Sequence, residues 1–596
     1  MSHAVAGSIK AMMREFDVVL AQFETLLTIR KLSLQKMIFL LQPTKATLRS
    51  LDHMTSRLGD RVGGQLLDRL HSAMLDQGDE RARKLYEHIL QAAAVPFVHM
   101  ISRWLYQGEL RDPYAEFFIK EHTAVLREAL QEDFNAHYWD GRYTLTPQHV
   151  PRILQEHANR ALIAGKYLNV IRDCCPGGTV QSLRGSEDDE SAAKQTAVVF
   201  PIAGDSTASL VKRDFVYDMD GSTSLIDAID EAYEFSSATL LRLCEKKYNL
   251  YSHLKSLRRF FLLEHGDFFV QFMDTAEEEL RREVRDVALP RIQGLLQLAV
   301  LTSTLASDPN KDELSCTLAS HNLIQHLHLI QTAGEGGTLS GNPMESFSVL
   351  GGSQGLKGVE ALTLEYNVGW PLSIILSKRA ITKYQLLSRL LFFCKHVELR
   401  VLDSWKDHQG TKEFGLRGEM GPSYCLRHRM LHFLQNFVYY MTIEVFTPRS
   451  HEMESAMSNA QNMDDVLHLH ELFLDTCLKE CLLASQDLLR ILTKITTTCL
   501  LFAEQMKRFA DTTNVLEPEL RGPSEAESAH HAKAAALRSA RISVQAEFIS
   551  REVTHEAYVR MLAKFSDTFD SQLGEFLEKL WTDSYRLVQC ACLFLG

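Results

Sequence analysis

The sequence predicts an all-α protein built of stacked antiparallel helical bundles. Three observations predict this fold class. Long segments are rich in Leu, Ala, Glu, Arg and Gln, which are good helix formers. Apolar residues recur at helical spacing in several of these segments. Alternating, strand-like runs between turn residues are scarce, so helices that pack against one another are the expected architecture.

The segment Ile381–Trp405 is the clearest amphipathic helix, because its two sides differ in polarity. The apolar stripe consists of Tyr384, Leu387, Leu391, Cys394, Val401 and Trp405. The opposite side carries Gln385, Arg389, His396, Arg400 and Asp403. We expect the apolar stripe to face the protein core and the opposite side to face solvent.

A second helix is predicted over Arg427–Val445, where apolar residues again form one stripe. Thr447-Pro448 is expected to interrupt it, because proline lacks the backbone N–H that a helix requires. The main strand candidate is Ala197–Ile202, but Pro201 favours an extended loop there.

Three stretches have the composition of linkers. Long loops without secondary structure are uncommon inside a compact domain. The segment Gly334–Gly358, with eight glycines in 25 residues, is therefore expected to separate two units. The other two stretches are Pro176–Ala208, which includes an acidic run, and the polar segment Asp511–Ser528.

Charge, cysteine content and hydropathy exclude several classes of protein. A net charge of −12 over 596 residues is unsuited to nucleic-acid binding, which requires a basic face. The eleven cysteines include no C-x-x-C pair, so reduced and buried thiols are expected. No apolar run approaches the length of a membrane span, and Met1–Lys10 lacks the apolar core of a signal peptide. A cytosolic protein is therefore expected.

No motif of an enzyme or cofactor site stands out in the sequence. The glycine-rich stretch Gly334–Gly341 lacks the Gly-Lys-Ser/Thr ending of a phosphate-binding loop. His428 and His432 are four residues apart, but no carboxylate occupies the metalloprotease position between them. The acidic run Asp274–Glu283 is interleaved with arginines, which favours a solvated, ion-paired helix face. We therefore predict no catalytic, cofactor-binding or metal-binding residue.

A recognisable block lies in Leu254–Asp286. A helix there ends in the turn Gly266-Asp267-Phe268, and the next helix carries Phe-Met-Asp and a run of acids. Gly266 is suited to a left-handed helix end, and Asp267 is suited to cap the following helix.

A second block lies in Leu362–Trp405. It has an extended lead-in, then Trp370-Pro371-Leu372, a short spacer, and a helix that contains Tyr384 and a late Trp405. Trp370, Tyr384 and Trp405 are expected to lie in the core.

Together with five shorter blocks in the same order, these two resemble the γ-tubulin complex component family. Within that family the sequence is most similar to the component 2 branch, with component 3 next. Members of that branch have a longer N-terminal extension, and the resemblance does not imply the functions of that extension for this chain. The shorter blocks are Gly108–Phe117, Tyr138–Tyr143, Gly165–Val170, Arg427–Val445 and Asn462–Lys479.

The resemblance implies an elongated, non-catalytic scaffold in two halves, without a cofactor. It implies that residues 1–253 form an N-terminal helical-bundle domain that packs laterally against other complex components, especially component 3. Residues 254–596 would form a C-terminal helical domain that binds γ-tubulin, with a possible physical break in the loop 334–358. Nucleic-acid binding and membrane insertion are not expected.

The implied mechanism is positional. By holding γ-tubulin molecules in place, such a scaffold removes part of the entropic cost of starting a microtubule at its minus end. The implied location is the cytoplasm and cytoskeleton, at a microtubule-organising centre such as a centrosome, basal body or spindle pole.

Contacts with γ-tubulin are expected from arginines at exposed positions of the C-terminal half. Tubulins are acidic, and an arginine fork is well suited to a carboxylate. The four candidates are Arg389, Arg400, Arg427 and Arg429.

Two other classes of protein stay open from the residues alone. One is a rod-shaped tethering subunit of vesicle traffic, which is also all-α and acidic. The other is an enzyme with an unrecognised helical site. The Gly266-Asp267-Phe268 and Trp370-Pro371-Leu372 blocks favour the γ-tubulin complex over a tethering rod, which has no reason to hold both.

Overall fold

Helices dominate the architecture and confirm the predicted all-α class. The computed structural model describes residues 1–59, 61–122, 139, 141–174, 223–334, 356–410, 421–514 and 556–583. Within these ranges the named strands form two small antiparallel sheets of two strands each. The chain divides into two compact units, neither of which is one continuous stretch. Unit 1 comprises Met1–Leu250, Gly369–Lys378 and Ala460–Leu467, and unit 2 comprises Tyr251–Val368, Arg379–Asn459 and His468–Gly596.

Unit 1 begins with long helices whose ends follow from local sequence. Ser33 Oγ accepts a hydrogen bond from the Lys36 N–H at 3.3 Å, and Asp79 caps the fourth helix in the same way. Gly108 ends that helix with a φ of 64°, which glycine adopts readily. The helices are Ser2–Thr28 (α1), Leu34–Leu58 (α2), Gly64–Leu75 (α3), Glu80–Gln107 (α4), Ala158–Cys174 (α5) and Thr223–Lys246 (α6).

The core of unit 1 surrounds α4. Trp104 is fully buried, and its indole N–H donates to the Ala161 carbonyl at 2.8 Å. Gly165 lies against the same indole, where a Cβ would come within 2.0 Å of a ring carbon. A short sheet also belongs to this unit and pairs β1, Ile119–Glu121, with β2, Tyr143–Leu145.

The other helices lie wholly or mostly in unit 2. The single turn Gly358–Ala361 precedes a strand and is not numbered. The numbered helices are Leu250–Phe261 (α7), Asp267–Leu280 (α8), Leu289–Thr302 (α9), Leu323–Gly334 (α10), Lys378–Gly410 (α11), Gly421–Tyr439 (α12), Thr447–Ser458 (α13), Met463–Glu480 (α14), Gln486–Asn514 (α15) and Glu556–Asp583 (α16).

The two helices predicted most clearly from periodicity are both present. The segment Ile381–Trp405 lies within α11, whose apolar stripe includes the buried Tyr384, Leu387 and Val401. The second predicted helix corresponds to α12, but its expected interruption at Thr447-Pro448 is wrong. The chain continues as a π-helix over Tyr440–Phe446 and then as α13.

The π-helix accommodates the proline without interrupting the helical path from α12 to α13. Pro448 offers no N–H, and its ring crowds the carbonyl four residues earlier in a regular α-helix. The wider π turn replaces the regular ladder here, since the Thr447 N–H bonds to the Thr442 carbonyl, five residues back. The Thr447 hydroxyl donates to the same carbonyl at 2.8 Å.

The second sheet lies in unit 2 and joins the chain on the two sides of the segment 334–358. Strand β3, Leu314–Leu318, pairs with β4, Leu362–Tyr366, so that Leu314 lies opposite Tyr366. Both flanks of the glycine-rich segment therefore belong to one unit, and the segment is an insertion within it.

Some predicted features lie outside the described residues. These are the strand candidate Ala197–Ile202, the linker Pro176–Ala208 and most of Gly334–Gly358. The linker Asp511–Ser528 is described only up to Asn514, where its first residues continue α15.

Candidate interaction surfaces

The four candidate arginines have different environments, and their expected exposure is wrong for two of them. Arg389 lies on α11 and is only 5% exposed. Its Nη2 donates to the His321 carbonyl at 2.7 Å and to the Glu360 carbonyl at 2.8 Å. Burial lowers the pKa of Arg389 to about 10. The residue therefore holds together the chain on both sides of the 335–355 segment.

Arg427 is the second buried candidate. Its guanidinium carbon lies 4.3 Å from the ring centre of Trp405, and burial lowers the pKa of Arg427. This stacking joins α12 to α11. The neighbouring Arg429 differs, because its side chain is 48% exposed and ion-pairs with Asp570 on α16.

Arg400 is the fourth candidate and belongs to an ionic cluster. It ion-pairs with Glu277 on α8, which also pairs with Arg281. Burial tends to raise the pKa of Glu277, but the hydrogen bond and charge of Arg400 outweigh it and hold the pKa below its usual value. The ion-paired character expected for this acidic run is present, but its expected full solvation is not, since Glu279 is buried.

The turn Gly266-Asp267-Phe268 joins α7 to α8 in a way the sequence did not predict. Gly266 is right-handed, with a φ of −79°, and the left-handed residue is Leu263, with a φ of 52°. Asp267 is the first residue of α8, and its carboxylate accepts from the Thr304 hydroxyl at 3.4 Å. Phe268 is fully buried and anchors the turn.

Of the three aromatic residues expected in the core, Tyr384 alone is fully buried. Its hydroxyl lies 3.1 Å from Nε2 of His470, and burial lowers the pKa of His470 to about 4. Trp370 and Trp405 are half-buried, while Pro371 is buried. The core expectation is therefore confirmed for Tyr384 and only in part for the two tryptophans.

The block Asn462–Lys479 places a carboxylate inside unit 1. Asp464 accepts hydrogen bonds from the hydroxyls of Tyr167 and Tyr233. The Met463 N–H donates to Ser237 Oγ at 2.7 Å. Because Tyr167 belongs to the block Gly165–Val170, two blocks that are distant in sequence meet here.

Sequence reasoning missed a groove in unit 2. Its walls are the turn before α8, the middle of α11 and the π-helix, and its volume is about 840 Å³. Tyr439 and Ile443, each 48% exposed, line one wall, and Val270, 40% exposed, lines another. Pro448 was the available signal, because a proline within a continuing helical pattern indicates a distorted turn.

A second surface missed by sequence reasoning lies on the α1–α2 hairpin of unit 1. Large apolar side chains there remain in solvent, although apolar faces of helices are normally covered. Phe39 is 76% exposed and Leu34 is 75% exposed. The others include Leu27, Ile29 and Ile38.

Metal-binding clusters, membrane-spanning helices and cysteines are considered next for the described part of the chain. There, no group of three or more His, Cys, Asp or Glu side chains could hold a metal ion. No described helix is long and apolar enough to cross a membrane. Among the described cysteines, Cys425 is exposed and the others are buried.

Comparison with known proteins gives the family. The model of the gamma tubulin complex component N-terminal region matches residues 1–247, and that of the C-terminal region matches residues 250–595. These two matches cover nearly the whole chain in a single order.

Individual relatives agree with the family models. Gamma-tubulin complex component 2 of Mus musculus is 36% identical over 87% of this chain and 54% of its own length. Gamma-tubulin complex component 2 of Arabidopsis thaliana is 33% identical over 84% of this chain and 69% of its own length. Spindle pole body component alp4 of Schizosaccharomyces pombe is 32% identical over 76% of this chain and 60% of its own length.

The chain thus spans between about half and two thirds of the length of these curated relatives. The similarity to component 2 that was inferred from short blocks is confirmed across most of the sequence. On the evidence of both family models, the chain belongs to the γ-tubulin complex component family.

Proposed function

We propose that this chain is a non-catalytic scaffold that holds γ-tubulin and positions it to nucleate microtubules. The observation that carries the proposal is the match to both halves of the family, in order, over residues 1–247 and 250–595. The relatives that share this arrangement are named as components of the γ-tubulin complex and of the spindle pole body. We accordingly place the protein at a microtubule-organising centre.

The N-terminal half is proposed to pack laterally against another component of the complex, with component 3 as the main partner. The exposed apolar residues of the α1–α2 hairpin support this assignment. Phe39 and Leu34 would each gain roughly 1.5–3 kcal/mol from burial, before the costs of association are subtracted. A helical bundle of the neighbouring component would bury these exposed side chains.

The C-terminal half is proposed to bind γ-tubulin. Arg429 is the best supported of the four candidate arginines, because it is half exposed on α12. Arg400 is less accessible, with a side chain that is 15% exposed. Arg389 and Arg427 are assigned to the fold instead, since both are buried.

Retention of γ-tubulin by the immobilised full chain tests this proposal. We expect retention to persist in an Arg429→Lys variant and to fall at least about tenfold in Arg429→Glu, which corresponds to about 1.4 kcal/mol. Unchanged retention by Arg429→Glu would remove this residue from the interface. Failure of the folded wild-type chain to retain γ-tubulin would contradict the proposed function itself.

The alternative of a tethering rod has no support from the comparisons, since both family models describe γ-tubulin complex components. No second function is proposed.

A further inference from the structure

The groove in unit 2 has the properties of a docking site for a helix. Its floor is apolar and includes the buried Leu262, Phe269 and Phe446. Tyr439 and Ile443 rise from one wall, four residues apart on the same helix face, and each remains 48% exposed. The volume of about 840 Å³ exceeds what an ion or a few waters require and accommodates several side chains.

The rim of the groove is acidic. Its exposed carboxylates are Glu264, Asp267 and Glu454. A fourth carboxylate, Glu398, also lines the groove but is buried, and the two lining cations are Arg258 and Lys395. Both cations already have partners within the groove. Arg258 Nε lies 2.9 Å from Glu264 and its Nη1 lies 2.6 Å from Glu454, while Lys395 lies 2.8 Å from Glu398. The groove thus holds two more carboxylates than cations.

The backbone at the wall is unusual. The π-helix over Tyr440–Phe446 interrupts the regular ladder beside the groove. Such turns are frequent at functional sites, because the extra residue changes the direction of the side chains around it. Here Ile443 lies in the middle of the π-helix and remains half-exposed.

From this combination we propose that the groove binds an amphipathic helix of a partner protein, with its apolar face on Tyr439 and Ile443 and its flanking Lys or Arg residues on the acidic rim. An apolar helix face in a groove is a recurrent mode of recognition. The acidic rim selects a basic partner and disfavours an acidic one through like-charge repulsion. A second copy of this chain, with its net charge of −12, is therefore a poor occupant.

The proposal is distinct from γ-tubulin binding by the same half of the chain. It predicts that a variant disabled in the groove keeps γ-tubulin. The two partners can therefore be separated experimentally, and failure of one proposal does not imply failure of the other.

The test measures binding of two fluorescein-labelled helical peptides of about 18 residues to the full chain by fluorescence anisotropy. Both peptides carry the same leucine stripe at helical spacing. The polar face of one peptide carries lysines, and that of the other carries glutamates. We expect the lysine peptide to bind at least about tenfold more tightly than the glutamate peptide.

Variants then locate the binding site. Ile443→Glu is expected to weaken binding of the lysine peptide at least about tenfold, and Val270→Glu on another wall should do the same. Leu501→Glu is the matched control, because Leu501 is also 48% exposed but lies on α15 and does not line the groove. The triple variant Glu264→Lys, Asp267→Lys, Glu454→Lys should reverse the preference between the two peptides.

Several results would overturn the proposal. They are equal binding of the two peptides, absence of lysine-peptide binding, and an effect of Leu501→Glu as large as that of Ile443→Glu. Loss of γ-tubulin retention by a folded Ile443→Glu variant would assign the groove to γ-tubulin instead. Self-association of the wild-type chain that Ile443→Glu abolishes would assign it to a second copy.

Discussion

At the scale of single residues, the close contact between Gly165 and Trp104 in unit 1 restricts position 165 to glycine. The helix α5 approaches the indole so closely that no side chain fits at position 165. This steric reason accounts for a glycine inside a helix, where glycine otherwise costs up to about 1 kcal/mol relative to alanine.

We therefore expect Gly165→Ala to destabilise the protein by about 1–3 kcal/mol or more, because the new methyl group overpacks the core. Thermal unfolding of the full chain measures this. Gly7→Ala in α1 is the control, since a Cβ there meets no heavy atom within 4 Å apart from its chain neighbours and the backbone of its own helix. A Gly165→Ala variant as stable as wild type would show that the indole can move aside.

Removal of the charge at Arg389 is predicted to lower stability, whereas removal of the charge at Arg429 is predicted to weaken γ-tubulin binding. Arg389→Met should lower stability by about 1–3 kcal/mol, because two partly buried carbonyls lose their donor. Arg429→Gln should change stability by less than about 1 kcal/mol, since its ion pair with Asp570 is half exposed, and should weaken γ-tubulin binding. Unfolding curves and γ-tubulin retention separate the two effects. A stable Arg389→Met variant that loses γ-tubulin would restore Arg389 as a contact residue.

The buried His470 should make the stability of the protein depend on pH. Its pKa is lowered from the ordinary histidine value of about 6.5 to about 4, because burial disfavours the charged ring. The unfolded chain therefore binds more protons than the folded chain between these values. The stabilisation is complete above pH of about 6.5 and is lost as the pH falls towards about 4, by roughly 3 kcal/mol in total.

Melting temperatures at pH 7.5 and pH 5 check this prediction. His470→Gln should reduce the pH dependence without abolishing it, because burial also lowers the pKa of His396, to about 3. His468→Gln, at an exposed position of the same helix, should leave it unchanged. Equal pH dependence in wild type and His470→Gln would exclude His470 as its source.

At the scale of elements, the α1–α2 hairpin combines ordinary helices with an uncovered apolar surface. We predict that the double variant Ile38→Glu, Phe39→Glu loses association with component 3 but keeps γ-tubulin. Its stability should change by about 0.5 kcal/mol or less, because both side chains are exposed. Co-sedimentation with component 3 measures the effect. Val95→Glu on α4, at a position that is 62% exposed, is the control, and the hairpin is not the lateral surface if both variants behave alike.

Elements with strong periodicity were predictable from the sequence, and their surroundings were not. The apolar stripe of α11 predicted the helix, since apolar residues at helical spacing indicate a helix with one buried side. The other side contains Arg389, which is buried because the carbonyls of His321 and Glu360 lie against it. Those two carbonyls belong to residues that are distant from Arg389 in sequence. The local sequence pattern of α11 therefore could not predict that they lie against Arg389.

The turn before α8 shows the same limit. A glycine followed by an aspartate predicted a left-handed helix end and a cap, but the left-handed residue is Leu263 and Asp267 does not cap α8. Phe268 and its neighbours in the core determine the path of this turn. Tertiary packing has overridden the local preference, as it does with most weak propensities.

At the scale of the whole molecule, chain order and compact units do not coincide. Gly369–Lys378 and Ala460–Leu467 belong to unit 1, although they are flanked by residues of unit 2. The hydrogen bonds of Asp464 with Tyr167 and Tyr233 explain the second of these segments. A fragment that ends near residue 250 would lack these partners, so the proposed function is best tested on the full chain.

The most direct test of the central claim is reconstitution of microtubule nucleation with purified γ-tubulin, component 3 and this chain. We predict that the three proteins form one complex and shorten the lag before polymerisation relative to γ-tubulin alone. Omission of the chain should restore the lag. A folded chain that neither joins γ-tubulin in a complex nor shortens the lag would contradict its assignment as a nucleation scaffold.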